Sequence, residues 1–276
     1  MATVIRVVAA VLAGGAILSA CSLSPRAGAP PRSSPRDSVS SSSPSAPAVA
    51  DRAPLRVVGL GDSVMAGTAC GCRNLLQRYG DALAARTGRH VRADNLGANG
   101  AVTSDLLEDL RGDARTRNLV VRADVVVVVI GANDLVPRLD EWREGSCDDS
   151  CFRPSVQQMG RRLGQVLAAV QAARHGRTDH VLVTDYWNVF QDGQVARDTD
   201  GQAGVDWSTR VTAAANAEIC RAAQLAGATC VDLVAPFKGL GERDPTPLLA
   251  DDGDHPNAAG TRLIAHALIQ ATPDDL

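Results

Sequence analysis

Downstream of residue 54, short solid apolar runs alternate with longer stretches whose apolar residues recur at helical spacing. The runs at 55–60, 91–95, 124–130, 180–184 and 230–234 read as buried strands. The third is apolar at every position from Val125 to Ile130, so both of its faces are covered, as in a central parallel strand flanked by helices. Between the runs, the spacing predicts helices over 74–86, 104–117, 155–174, 207–225 and 257–270. Leu75, Leu76, Tyr79 and Leu83 share one face of the first, and Leu263, Ile264, Ala267 and Leu268 one face of the last. Strand–helix alternation predicts a parallel sheet with right-handed crossovers, hence a three-layer α/β/α sandwich over residues 55–276. No internal repeat is visible.

Upstream the pattern changes. Arg6 is the single positive charge before an apolar stretch at 7–18, and Leu18-Ser19-Ala20-Cys21 follows. Small residues before a cysteine at the end of such a run resemble the lipobox of bacterial lipoproteins. The resemblance implies a signal peptide at 1–20, lipidation of Cys21, and a domain held on the outer face of the cell membrane. Residues 22–54 are dominated by Ser, Pro, Ala and Arg and contain no Phe, Tyr, Trp or Ile. Such a segment buries too little surface to offset its ordering entropy. We read 21–54 as a disordered linker, a tether reaching on the order of 30 Å.

Composition refines this picture. Apolar residues are 45% of the 276 but aromatics only 3%, so the core rests on Val, Leu, Ala and Ile. A net charge of -3 gives no reason to expect nucleic acid as a partner. With Cys21 set aside, six cysteines remain: Cys70, Cys72, Cys147, Cys151, Cys220 and Cys230. An even set in an exported chain points to disulfides. Cys220–Cys230 is the expected pair between a helix and the next strand, and the other four could pair within or between their loops. Zinc is the alternative, although Cys-Gly-Cys with Cys-x3-Cys is poor zinc spacing.

Four stretches carry the candidate chemistry. Val57-Val58-Gly59-Leu60-Gly61-Asp62-Ser63 ends a strand in a glycine-flanked serine. Gly97-Ala98-Asn99-Gly100 follows the second strand, Gly131-Ala132-Asn133-Asp134 the third, and Asp251-Asp252-Gly253-Asp254-His255 precedes the last helix. Loops after the strands of a parallel sheet share one edge, so the first three converge. Taken singly, each has a plainer reading: a turn serine, a turn glycine, an asparagine helix cap, a solvated aspartate, an exposed histidine.

Together, and in this order, the four stretches resemble the blocks of the SGNH hydrolases, also called the GDSL esterase/lipase family. The resemblance covers the whole domain; Val64 stands where the common form has leucine. It implies a flavodoxin-like fold with a five-stranded parallel sheet and a serine carboxylic-ester hydrolase. Ser63 would be the nucleophile, His255 the base and Asp252 its orienting partner. Spacing alone leaves Asp251 and Asp254 open as that partner. The oxyanion hole would join the backbone N–H groups of Ser63 and Gly100 to the Asn133 amide. Gly100 suits this role because a side chain there could block approach to its N–H; Gly97 is a rival, but its place after Asn95 fits the family's second block less well. No metal or cofactor is implied, and a monomer is assumed.

Seven of the eight aromatics follow the third strand; Trp142, Phe152, Tyr186, Trp187 and Phe190 could line a substrate pocket or pin loops. Three functions remain in view: an esterase or lipase, a carbohydrate O-acetylesterase or acyltransferase on glycan, and a catalytically silent binding lipoprotein.

Overall fold

The computed structural model describes residues 53–148 and 150–276. The expected signal segment, Cys21 and the expected linker up to residue 52 lie outside the described residues. Five parallel strands form one sheet in the order β2-β1-β3-β4-β5. They are β1 (Leu55–Gly61), β2 (Val91–Gly97), β3 (Val125–Val129), β4 (Val181–Thr184) and β5 (Thr229–Val231). β3 sits at the centre and every one of its residues is buried, as its all-apolar sequence requires.

The helices among the described residues are α1 (Ser63–Ala66), α2 (Leu75–Thr87), α3 (Thr103–Gly112), α4 (Ala114–Val121), α5 (Val136–Arg143), α6 (Arg153–Ala173), α7 (Gly193–Leu225), α8 (Val234–Lys238) and α9 (Ala258–Ala271). α2 and α9 pack together on one side of the sheet, and α6 packs against α3, α4 and α7 on the other. The three layers and five strands agree with the expected fold class.

Boundaries depart from the sequence pattern where a local cap intervenes. The single helix read over 104–117 is two, because Asp113 is extended at φ -87°, ψ 116°. Its carboxylate accepts from the Arg115 and Thr116 N–H groups at 3.0 and 2.9 Å, which starts α4 afresh. The helix read from Trp207 begins at Gly193, interrupted only at Gly201 (φ 66°, ψ -176°), a conformation suited to glycine. β5 is shorter than read: Asp232 accepts from the Val234 N–H at 2.8 Å and turns the chain into α8. The short helices α1 and α5 carry too few residues to show a period.

Three cysteine pairs lie at disulfide distance: Cys70–Cys72, Cys147–Cys151 and Cys220–Cys230, with Cα separations of 5.1, 5.3 and 5.1 Å. The four loop cysteines therefore pair within their loops. No helix among the described residues is long and apolar enough to cross a membrane.

Candidate active site

The site begins where β1 leaves the sheet. Gly61 (φ 145°) lies so close to β3 that a Cβ there would sit 2.7 Å from the Val129 carbonyl carbon. The Asp62 N–H still bonds the Val129 carbonyl at 2.9 Å, and the chain then turns into the one-turn helix α1. Ser63 is its first residue, so the Ser63 N–H has no intrahelical acceptor. Asp62 caps the turn, with Oδ1 accepting from the Val64 N–H at 3.0 Å.

Asp62 is the least expected member of the site. Its other oxygen accepts from the Tyr186 hydroxyl at 2.5 Å, and Tyr186 is clamped in turn by Asn216, which exchanges two hydrogen bonds with its backbone. Both Asp62 and Tyr186 are buried. Burial pushes the Asp62 carboxyl up to about 6, against the opposing pull of the Tyr186 and Val64 donors. Burial and the adjacent Asp62 carboxylate hold the Tyr186 phenol well above its ordinary range. Tyr186 was legible only as one of several aromatics after the fourth strand, because its partner lies 124 residues away.

The loops after β2 and β3 are laced together. Asp134 accepts from the Thr103 N–H at 2.9 Å and the Thr103 hydroxyl at 2.6 Å, while Asn133 Nδ2 donates to the Ala101 carbonyl at 3.0 Å. That bond uses one amide hydrogen of Asn133 and leaves the other for a ligand. Gly100 occupies a turn closed by Ala101 N–H to Ala98 carbonyl at 3.2 Å. A Cβ on Gly100 would meet no protein atom within 4 Å, so packing does not require glycine there. The φ of 74° is what favours glycine at this position. Gly100 is exposed and is not among the cavity-lining residues. Gly97, the rival, gives its N–H to Asn95 Oδ1 at 2.9 Å and lets β2 approach α1 closely.

On the far side, the 250–256 turn is tied by Ala250 N–H to His255 carbonyl at 2.8 Å. Asp252 Oδ1 accepts from the Asp254 and His255 N–H groups, both at 3.0 Å, and Oδ2 meets His255 Nδ1 at 2.8 Å. Burial alone would raise the Asp252 carboxyl, but those N–H groups and the ring outweigh it and hold it below its ordinary value. Asp254 is a more distant neighbour, 3.9 Å from the same ring nitrogen. The other ring nitrogen, His255 Nε2, is buried and has no hydrogen-bond partner among the described residues.

Ser63, Asn133, Asp252 and His255 line one cavity of about 340 Å³, together with Asp62 and Tyr186. Val136 and Leu139 of α5, with Val189 and Phe190, supply an apolar wall. Of the aromatics, Tyr186, Trp187 and Phe190 reach the cavity, and all three are nearly fully buried. Trp142 and Phe152 instead pack around Trp207 at centroid distances of 5.5 and 6.2 Å, and Phe190 also stacks on it at 5.7 Å. Trp187 stacks on Phe237 at 4.4 Å. The group thus divides, with Tyr186, Trp187 and Phe190 at the cavity and Trp142 and Phe152 packed away from it around Trp207.

A parallel sheet with a serine at the carboxyl end of β1 and a carboxylate-held histidine in the same cavity defines a hydrolase-like α/β site. The sequence matches the GDSL-like lipase/acylhydrolase family over residues 60–263, most of the chain, and the protein belongs to that family. Among solved structures, it is similar to the lipase Lip_vut3 from a goat rumen metagenome. The identity is 20% over 79% of this chain and 97% of that one, with a TM-score of 0.63. An extracellular lipase from Streptomyces rimosus is 21% identical over 79% and 100% of the two chains, with a TM-score of 0.60. The acetyl xylan esterase AlAXEase is 19% identical over 79% and 100%, with a TM-score of 0.54. Comparison with curated proteins finds no match. At these identities the structural likeness speaks for the fold.

Proposed function

We propose that this lipase/acylhydrolase is a serine esterase acting through Ser63, His255 and Asp252. The observation that carries the reading is the state of His255. One ring nitrogen is held by Asp252 at 2.8 Å, while the other is buried without a partner among the described residues, and His255 and Ser63 line one cavity. An imidazole so oriented accepts a proton at Nε2 and is steadied by the carboxylate as it becomes charged. Catalytic hydrogen bonds often close only when substrate is bound, so a Ser63–His255 bond belongs to the complex.

In the first half-reaction Ser63 Oγ attacks the ester carbonyl and its proton passes to His255 Nε2. The tetrahedral oxygen is met by the Ser63 N–H and the second Asn133 amide hydrogen; the Gly100 N–H enters as a third donor on the family resemblance alone, since Gly100 does not line the cavity. His255 then protonates the departing alcohol, leaving an acyl-enzyme on Ser63. A water that gives its proton to His255 attacks this ester, and the acid leaves as Ser63 recovers its proton.

A cavity of about 340 Å³ lies at the small end of ligand sites and supports a short acyl group. That keeps a second reading in play, an O-acetyl group on a glycan, which the same machinery would remove. The lipobox-like Leu18–Cys21 stretch supports an exported, Cys21-lipidated protein tethered outside the cell. The decisive experiment is hydrolysis of p-nitrophenyl esters across acyl lengths by purified oxidised protein beside Ser63→Ala. Turnover lost in the variant, with its circular dichroism unchanged, is the expected result. Equal turnover in both proteins refutes the nucleophile.

A further inference from the structure

Asp254 is a carboxylate that the reaction just described does not use. It sits between Gly253 and His255 and lines the same cavity. Its oxygens accept no hydrogen bond among the described residues, and its ion-pairing neighbour there is His255 Nδ1 at 3.9 Å. The other carboxylates of the cavity are satisfied. Asp62 takes the Tyr186 hydroxyl and the Val64 N–H, and Asp252 takes two backbone N–H groups and the His255 ring. The cavity's one arginine, Arg143, is committed to Asp200 through two bonds of 2.8 Å. The cavity therefore carries unspent negative charge at Asp254 and no uncommitted cationic side chain among its lining residues.

The position of that charge relative to the reaction follows from proton transfer. His255 must hand a proton to the departing alkoxide, so the alcohol portion of the ester lies against His255 and the acyl portion lies away from it. Asp254 lines the cavity beside His255, its carboxylate approaching Nδ1 at 3.9 Å rather than the proton-donating Nε2, so its charge acts on the His255 side of the cavity, where the alcohol must lie. We infer that Asp254 is a specificity-determining residue that selects esters of positively charged alcohols over neutral ones, and both over anionic ones. The inference rests on the serine-esterase reading above. An alternative role, in which Asp254 only supports the charge on His255, would change all esters alike and leave their ratios untouched.

The test compares butyrylcholine with 3,3-dimethylbutyl butyrate, which has nearly the same shape without the charge, and with the butyryl ester of glycolate, which is anionic. Assayed at about pH 8 and low salt, wild type should favour the cation over its neutral isostere in kcat/KM by about fivefold or more, the order expected of one partly solvated charge pair. The glycolate ester should be slowest. The preference should shrink as salt screens the charges, and collapse towards one in Asp254→Asn and Asp254→Ser. A wild-type ratio near one, or a ratio unaltered in both variants, overturns the inference. The salt dependence of wild type alone keeps it refutable if neither variant folds. If wild type hydrolyses none of the three esters above the Ser63→Ala background, the catalytic reading itself falls, and that outcome is distinct from the loss of charge discrimination.

Discussion

Replacing Asp62 by asparagine probes the electrostatics directly behind Ser63. The Asp62 side chain is buried, and its carboxyl is raised from an ordinary 3.8 to about 6, chiefly by burial. As pH rises, the unfolded chain therefore ionises Asp62 first, and the folded state loses stability relative to it until the folded carboxyl also ionises. The loss begins near the unfolded value, levels off above about 6, and amounts to about 3 kcal/mol at neutral pH, at roughly 1.4 kcal/mol per pH unit. Between about pH 5 and about pH 7.5 the change is about 1.4 kcal/mol. Asparagine keeps an oxygen for the Val64 N–H and carries no charge, so the variant lacks this dependence. It also removes the oxygen that accepts from the Tyr186 hydroxyl, a pH-independent cost of about 1–3 kcal/mol for the buried hydroxyl left unpaired. Asp185, pushed up to about 7 by burial, titrates in the same range in both proteins and cancels in the difference. Urea unfolding of wild type and Asp62→Asn at the two pH values, with disulfides intact, measures the difference. The variant should gain about 1.4 kcal/mol on wild type between them. A difference that does not move with pH refutes the placement of an ionisable, desolvated carboxylate behind the serine.

Asn133→Ala removes a cavity-lining amide with one hydrogen to spare beyond its bond to Ala101, and on the proposed mechanism kcat for a short p-nitrophenyl ester should fall by about 10²–10³ with little change in KM. An unchanged kcat would remove Asn133 from the oxyanion hole. Trp207→Ala should cost about 3–5 kcal/mol in urea unfolding, because the ring is buried among three other aromatics, while acyl-length preference stays as in wild type. A shifted length profile at unaltered stability would instead make Trp207 part of the substrate site.

What the chain determined on its own was whatever depends on neighbours in sequence. The all-valine core of β3 could only be a central strand, since no face of it tolerates water. The Asp252–His255 contact spans three residues of one turn, so its distance follows from local geometry. The Cys220–Cys230 pair joins the end of a helix to the strand directly after it. Local signals fell short at Asp113 and Asp232, where side-chain caps redirect the backbone against the hydrophobic period.

Only the tertiary structure decided the relations between distant stretches. A parallel sheet already implied that the loops bearing Ser63, Gly100 and Asn133 share an edge; the order β2-β1-β3 makes their strands neighbours, and Asp134 binds the second loop to the third. Tyr186 became the partner of Asp62, Trp207 the hub of an aromatic cluster, and Asp254 an unsatisfied carboxylate in the cavity. None of these leaves a mark in spacing or composition. A hydrogen bond or a ring stack formed across the fold depends on where packing brings two side chains, and sequence separation carries no record of that distance.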